Sequence, residues 1–434
     1  MPSHILLQNG TILVPSEQPD DRVISLRSHS LLIEDNKIAR IAPTIDPPMG
    51  TEIIDCTDKI ISPGFIDTHH HLWQTQLKGR HADHTLVEYL PNGNMQCANY
   101  TSDDVFWGEL GGCLEALDAG TTAVVDHAHM NISPAHTSNA VEATVASGIR
   151  SVFCYTPTVR VESWKPDLTV AEGLLDDWVL EHLESLAATA PFGNGRVQLG
   201  LAFDGFNLPK DQVVSLYNKV RELGVRLITS HYVRTVFRDV SLVETLDAYN
   251  LLGPDILLSH ASNLLVSDAR KLNKAKSWIS STPSTELQMG HGNIVCFQKG
   301  CFEISSLGID CHSNNSGDMV SQMRLALQHE RALRNQDVIA EGKTILSLDL
   351  HVQDVFRLGT IQGARAIRRE DSLGSIEAGK LADLVIFDGS SPGMVCAFEE
   401  NPVAAIVLHS SVRDIDTVIV DGHIVKRHAN DKLG

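Results

Sequence analysis

Two kinds of pattern divide the chain. Toward both ends, short stretches alternate apolar and polar residues or run apolar, with turn residues between them. Ile5–Gln8, Thr11–Val14, Ser30–Glu34, Lys37–Ile41 and Glu52–Asp55 read as strands at the start. Asp383–Asp388, Ala404–Leu408, Asp416–Val420 and His423–Arg427 read the same way at the end. Asn9-Gly10, Asp35-Asn36 and Asp421-Gly422 supply turn residues for tight hairpins. Neither end carries enough apolar surface for a core of its own. The pattern therefore predicts one small β-sandwich domain built from residues 1–60 with 375–434.

Between the ends, a strand is followed by a helix, repeatedly. The strands are Ile60–Thr68, Thr122–Asp126, Arg150–Tyr155, Arg196–Phe203, Arg226–His231, Ile256–His260, Ser277–Thr282 and Glu303–Asp310. Helices include Asp103–Ala119, with Ser102 as N-cap and Gly120 as stop, Asp211–Glu222 and Met319–Arg334. This α/β alternation predicts a (β/α)₈ TIM-like barrel over residues 61–374. The alternative, an open doubly wound sheet, would place a glycine-rich phosphate loop after its first strand. This first strand ends in His69-His70-His71 instead. The polar segment from Gly79 to Tyr100 follows directly, where a lid would cover the site. His81 and His84 within it are expected to be solvated.

Residues two apart on a strand share a face, so His69 and His71 project together from a rigid element. That spacing suits two imidazoles meeting one divalent metal. Active sites of such barrels lie at the C-terminal strand ends. His231, His260 and Asp310 end the fifth, sixth and eighth strands and converge there with the first pair. Asp126-His127-Ala128-His129 ends the second strand as another His-x-His, in which His129 reads as a substrate contact. Gln74 and His312, close in sequence to the metal-side residues, read as pocket-lining groups.

The chain has 434 residues, 43% of them hydrophobic, enough for one large domain and a smaller one. A formal net charge of −19 argues against nucleic acid or an anionic membrane as partner. Eight scattered cysteines without a Cys-x-x-Cys pair fit reduced thiols. No basic stretch followed by a long apolar core opens the chain, and no apolar run reaches membrane-spanning length. A cytoplasmic enzyme with a small-molecule substrate is the expectation. Gly389-Ser390-Ser391-Pro392-Gly393 matches a serine-hydrolase pattern, but Pro392 lacks the backbone N–H that its oxyanion hole requires.

Pro63-Gly64-Phe65-Ile66-Asp67-Thr68-His69-His70-His71 resembles the opening motif of the amidohydrolase superfamily. Leu307-Gly308-Ile309-Asp310 resembles its closing strand, and Gly374–Val385 its return into the β-domain. The resemblance covers nearly the whole chain and is closest to the triazine hydrolase and nucleobase or adenosine deaminase-like branch. It implies a metal-dependent hydrolase of a non-peptide C–N bond in a small cyclic or heteroaromatic compound, either a deaminase or a cyclic amide hydrolase. It implies one divalent metal, zinc with iron as the alternative, held by His69, His71, His231 and Asp310. His260 would polarise the attacking water, and Asp310 would also accept its proton. Two-metal members use a carboxylated lysine in the fourth strand, and Arg196–Asp204 contains none. Homodimers are frequent among the proteins it resembles.

One position departs from the pattern. Deaminase-like members carry a glutamate three residues after the fifth-strand histidine, where it protonates a ring nitrogen. Here that position is Arg234, which stays protonated and cannot act as that acid. Arg234 is read instead as a contact to a substrate carboxylate or carbonyl. Glu286 and His291, after the seventh strand, are read as a replacement acid or as binding groups. The rival readings are a decarboxylase or lyase on the same metal site and a catalytically silent structural relative.

Overall fold

A computed structural model of the chain describes residues 4–18, 21–234 and 239–427. It divides into two compact units. One contains the chain through Ile66, Ala116–Ala123 and everything from Asp318 onward; the other contains Asp67–Glu115 and Val124–Gly317.

The first unit is built on an eight-stranded sheet. Strands from the two ends of the chain meet where Leu384–Asp388 pairs antiparallel with Lys59–Pro63. His4–Pro15, Val23–Glu34 and Lys37–Ala42 extend the sheet on one side, Ile415–Val420 and His423–Arg427 on the other. Ile5, Leu7, Ile33, Ile61, Leu384 and Ile419 are buried in its core, so one apolar face is shared by residues from both ends. Ala404–Leu408 is helical rather than a strand: Pro402–Ala404 starts a helix that continues through Ala405–His409. Asn401 caps it by accepting from the Ala404 N–H, and Pro402 takes the first helical position. A short, continuously apolar run carries no periodicity to separate strand from helix.

The other eight-stranded sheet forms the barrel. Its strands are Phe65–His70, Thr121–Ala128, Arg150–Tyr155, Val197–Ala202, Ile228–Val233, Ile256–Ser262, Trp278–Ser281 and Ser305–Leu307, neighbours in that order. Most are buried along their whole length, as strands covered on both faces must be. The last strand returns to the first at the residues of chemical interest. His70 bridges Asp310, the His71 N–H donates to the Asp310 carbonyl at 3.0 Å, and the Asp310 N–H donates to the His69 carbonyl at 2.8 Å. A β-carbon on Gly308 would lie 2.9 Å from the His69 backbone and 2.8 Å from Ser280 Oγ, so glycine is what lets this seam close.

After the first strand, Leu86–Asn92 forms a short helix, its entry fixed by Glu88 accepting from Thr85, and Asn94–Asn99 forms a 3₁₀ turn. His81 is buried at 1% exposure, not solvated, because the Tyr89 ring packs across it.

Candidate metal centre and active site

His69, His71, His231 and Asp310 each bring one donor atom within 4.8 Å of the others. His69 Nε2 lies 3.0 Å from Asp310 Oδ1, and His71 Nε2 lies 3.2 Å from the same oxygen. The two Nε2 atoms of His71 and His231 face each other at 3.3 Å.

The opposite ring nitrogens explain this arrangement. His71 Nδ1 is 2.8 Å from the His127 carbonyl, which only accepts, so Nδ1 carries the proton and Nε2 of the neutral ring is a bare lone pair. His231 Nδ1 is 2.8 Å from Asp204 Oδ2, with the same consequence. His69 Nδ1 is 2.8 Å from Ser259 Oγ. Two ring nitrogens turned toward each other beside a carboxylate form a place where a cation would be held. Three imidazoles and one carboxylate, all pointing inward, are the donor set of a borderline divalent ion such as zinc.

His260 Nε2 stands 4.0 Å from Asp310 Oδ1, outside the four-residue group, and its Nδ1 is 2.8 Å from Thr282 Oγ1. His260 and Asp310 both adopt left-handed backbone conformations, φ +66° and +69°. For such residues this costs about 1–3 kcal/mol each and persists only where the surroundings enforce it. Burial opposes the charge on Asp310, but the surrounding imidazoles, His69 and His71 foremost, outweigh it and hold the carboxyl well below the ordinary range. Burial also keeps His69 and His260 neutral by lowering them far below the usual imidazole value.

Asp67 supports the centre from behind. Its Oδ1 accepts from the N–H groups of His69 and Ile309, both at 3.1 Å, and Oδ2 lies 2.7 Å from His70 Nδ1. His70 passes this contact to His312 Nδ1 at 2.7 Å, which places His312 in the buried support. Gln74 binds the Ser313 hydroxyl and donates to the Tyr89 hydroxyl, so it anchors a cavity-lining ring without lining the cavity itself.

The cavity above the centre has a volume of about 440 Å³, within the range of small-molecule sites. Leu86, Leu90, Val159, Leu174, Val233 and Met289 form an apolar wall. No lysine or arginine is among its described lining residues. His129 lines it, stacked on His71 at 4.2 Å. Trp73 Nε1 donates to His129 Nδ1 at 3.0 Å, so the Nε2–H of the neutral ring is a donor, and it has no partner. His291 also lines the cavity, buried, with neither ring nitrogen partnered.

Arg234 is turned to other work: its guanidinium lies 2.6 Å from Asp239 Oδ1 and reaches the Asn263 carbonyl, and it does not line the cavity. Glu286 is buried beneath the lining. Its Oε1 accepts from the Thr282 N–H at 2.8 Å, Oε2 has no partner, and burial pushes the carboxyl well above the ordinary range. His127 is drawn toward Asp204, with Nε2 3.3 Å from Oδ2, and burial lowers it to about 3.

Asp204 is the functional residue that reading the sequence for a bridging lysine passed over. It ends the fourth strand's extension, where the rule that found His231 and His260 would have found it. Burial works against its charge, but His231 and His127 hold it as a carboxylate.

Residues 60–198 and 241–425 match the sequence model of the Amidohydrolase family. The chain is 27% identical over 445 residues to the 5'-deoxyadenosine deaminase of Methanobrevibacter smithii, covering 97% of this chain and 92% of that protein. Among solved structures it is similar to an adenosine deaminase from Xanthomonas campestris with bound zinc, at a TM-score of 0.80 and 19% identity, covering 97% of this chain and 92% of that one. It is likewise similar to the atrazine chlorohydrolase of Arthrobacter aurescens TC1 complexed with zinc, at 0.80 and 18%, covering 98% and 95%. These two likenesses show the fold, a barrel with an added β-domain.

Proposed function

The chain belongs to the amidohydrolase family, and on that premise we propose that it deaminates an uncharged amino-substituted heteroaromatic compound at a single zinc ion. The observation that carries the reading is the convergence of His69, His71, His231 and Asp310, with the Nε2 atoms of His71 and His231 3.3 Å apart beside the Asp310 carboxylate. Bound there, a divalent ion supplies Lewis acidity that makes water nucleophilic near neutral pH. Asp310 accepts the proton of the attacking water and is kept ionised for that task by His69 and His71. His260, neutral and held through Thr282, directs Nε2 at the attacking water.

The use of the remaining donors supports a single ion. The fourth strand offers Asp204 in place of a lysine, and that carboxylate accepts from His231 Nδ1. The apolar cavity wall and its want of described cationic side chains favour a neutral ring over a phosphorylated one. Relatives described as 5'-deoxyadenosine and adenosine deaminases make amino-purines the first compounds to try. None of the eight cysteines stands in a disulfide, which supports a reducing compartment.

Hydrolysis of a cyclic amide is the second reading, favoured by the arginine at 234 where deaminases carry an acid. Zinc-loaded protein offered amino-purines, amino-triazines, lactams and hydantoins separates the two. Release of ammonia supports deamination; ring opening to a carboxylate without ammonia supports the second reading.

A further inference from the structure

We infer that His291 is the group that meets the substrate's ring nitrogen, in place of the acid that position 234 does not supply; the inference rests on the deaminase reading. Adding water to an amino-substituted ring carbon pushes the C=N electrons onto the adjacent ring nitrogen, which must then receive a proton. Arg234 is committed to Asp239 and Asn263 and lies outside the cavity lining. His291 lies inside it, its ring edge-on to His260 with centroids 4.9 Å apart. Its backbone is fixed on the same support: Asn263 Nδ2 donates to the carbonyls of both Arg234 and His291, at 3.0 and 2.8 Å.

Among the other polar groups of the lining, His129 Nε2 and Thr285 Oγ1 are also open, but several are occupied. Thr156 and Thr158 donate to backbone carbonyls, Tyr89 binds Gln74, and His129 stands over His71 on the far side of the metal position. His291 is 2% exposed, yet both its nitrogens lack partners among the described residues. Leaving such groups unpaired in a folded interior is costly, and a bound ring would relieve that cost.

The protons balance. One proton of the attacking water goes to Asp310, and His291 gives its N–H proton to the ring nitrogen. As the C–NH₂ bond breaks and C=O forms, one of the water's two protons leaves with ammonia. The other restores His291. The product is a lactam and the imidazole is unchanged.

His291→Ala should lower kcat by roughly 10²–10³-fold with KM shifted only a few-fold, and metal content and Tm should stay near wild type. The loss should shrink for substrates with a more basic ring nitrogen, and added imidazole should restore part of the rate. In metal-free protein, one histidine ring resonance, absent from His291→Ala, should shift when the lactam product is added. A variant that keeps a third or more of kcat overturns the inference. So does a loss that is indifferent to both ring basicity and imidazole. Wild-type protein that releases no ammonia from any amino-heterocycle overturns the deaminase reading itself and the inference with it.

Discussion

On the side of the barrel mouth formed by the first, fifth, sixth and eighth strands, each histidine has its outer nitrogen hydrogen-bonded. His69 meets Ser259, His71 the His127 carbonyl, His231 Asp204 and His260 Thr282. On the side formed by the loops after the second and seventh strands, the histidines are buried as deeply, yet their nitrogens are left over. His129 Nε2, both nitrogens of His291 and Glu286 Oε2 have no partner among the described residues. Burial therefore does not distinguish a metal ligand from a substrate contact here. What differs is the partner behind the ring: a carbonyl or carboxylate behind His71 and His231 puts the proton on Nδ1, the Trp73 N–H behind His129 leaves it on Nε2, and the His291 ring has neither.

The sharpest break in this contrast comes from the metal side. His231→Ala and Asp310→Asn should each cost on the order of 10⁴-fold or more in turnover. Metal analysis should show His231→Ala substoichiometric, and substantial activity in either variant would refute the ligand assignment. His260→Ala should keep its metal and lose roughly 10²–10³-fold in rate, measured as kcat against bound zinc. Metal loss in that variant would move His260 into the coordinating set.

Asp204→Asn tests the supporting partner alone. An amide nitrogen facing His231 Nδ1 favours the wrong tautomer, so zinc affinity by chelator competition should fall about 10–100-fold. Gly308→Ala should lower stability by about 1–3 kcal/mol in denaturant unfolding, because its β-carbon would press on the His69 backbone at the barrel seam.

The smallest effect concerns Asp126, under the second-strand histidines. Burial raises its carboxyl from 3.8 to about 7, against the Leu72 N–H that it accepts. The folded chain thus keeps a proton that the unfolded chain loses as pH rises from about 4 to about 7. More protons bound when folded means stability falls with pH across that window. Asp126→Asn should flatten that part of the Tm-against-pH curve.

The legible part of the site was carried by two short-range rules. Period two put His69 and His71 on one face, and strand ends supplied His231, His260 and Asp310. The barrel alternation and the composite β-domain were equally readable, because each strand or helix reports its own periodicity. What was not legible depends on pairs far apart in sequence. Asp67 tying His69 to Ile309, Gln74 holding Tyr89, and Asp204 behind His231 are hydrogen bonds that no local pattern encodes. Ala404–Leu408 shows the other limit, where a short, continuously apolar run hides its period.

The central claim is one ion among His69, His71, His231 and Asp310. Anomalous diffraction at the zinc edge from crystals of zinc-loaded protein tests it most directly. The account predicts a single full-occupancy peak about 2.0–2.2 Å from the three Nε2 atoms and an Asp310 oxygen. A peak between His127, Asp204 and His231 Nδ1 instead, or no ordered zinc at all, would contradict it.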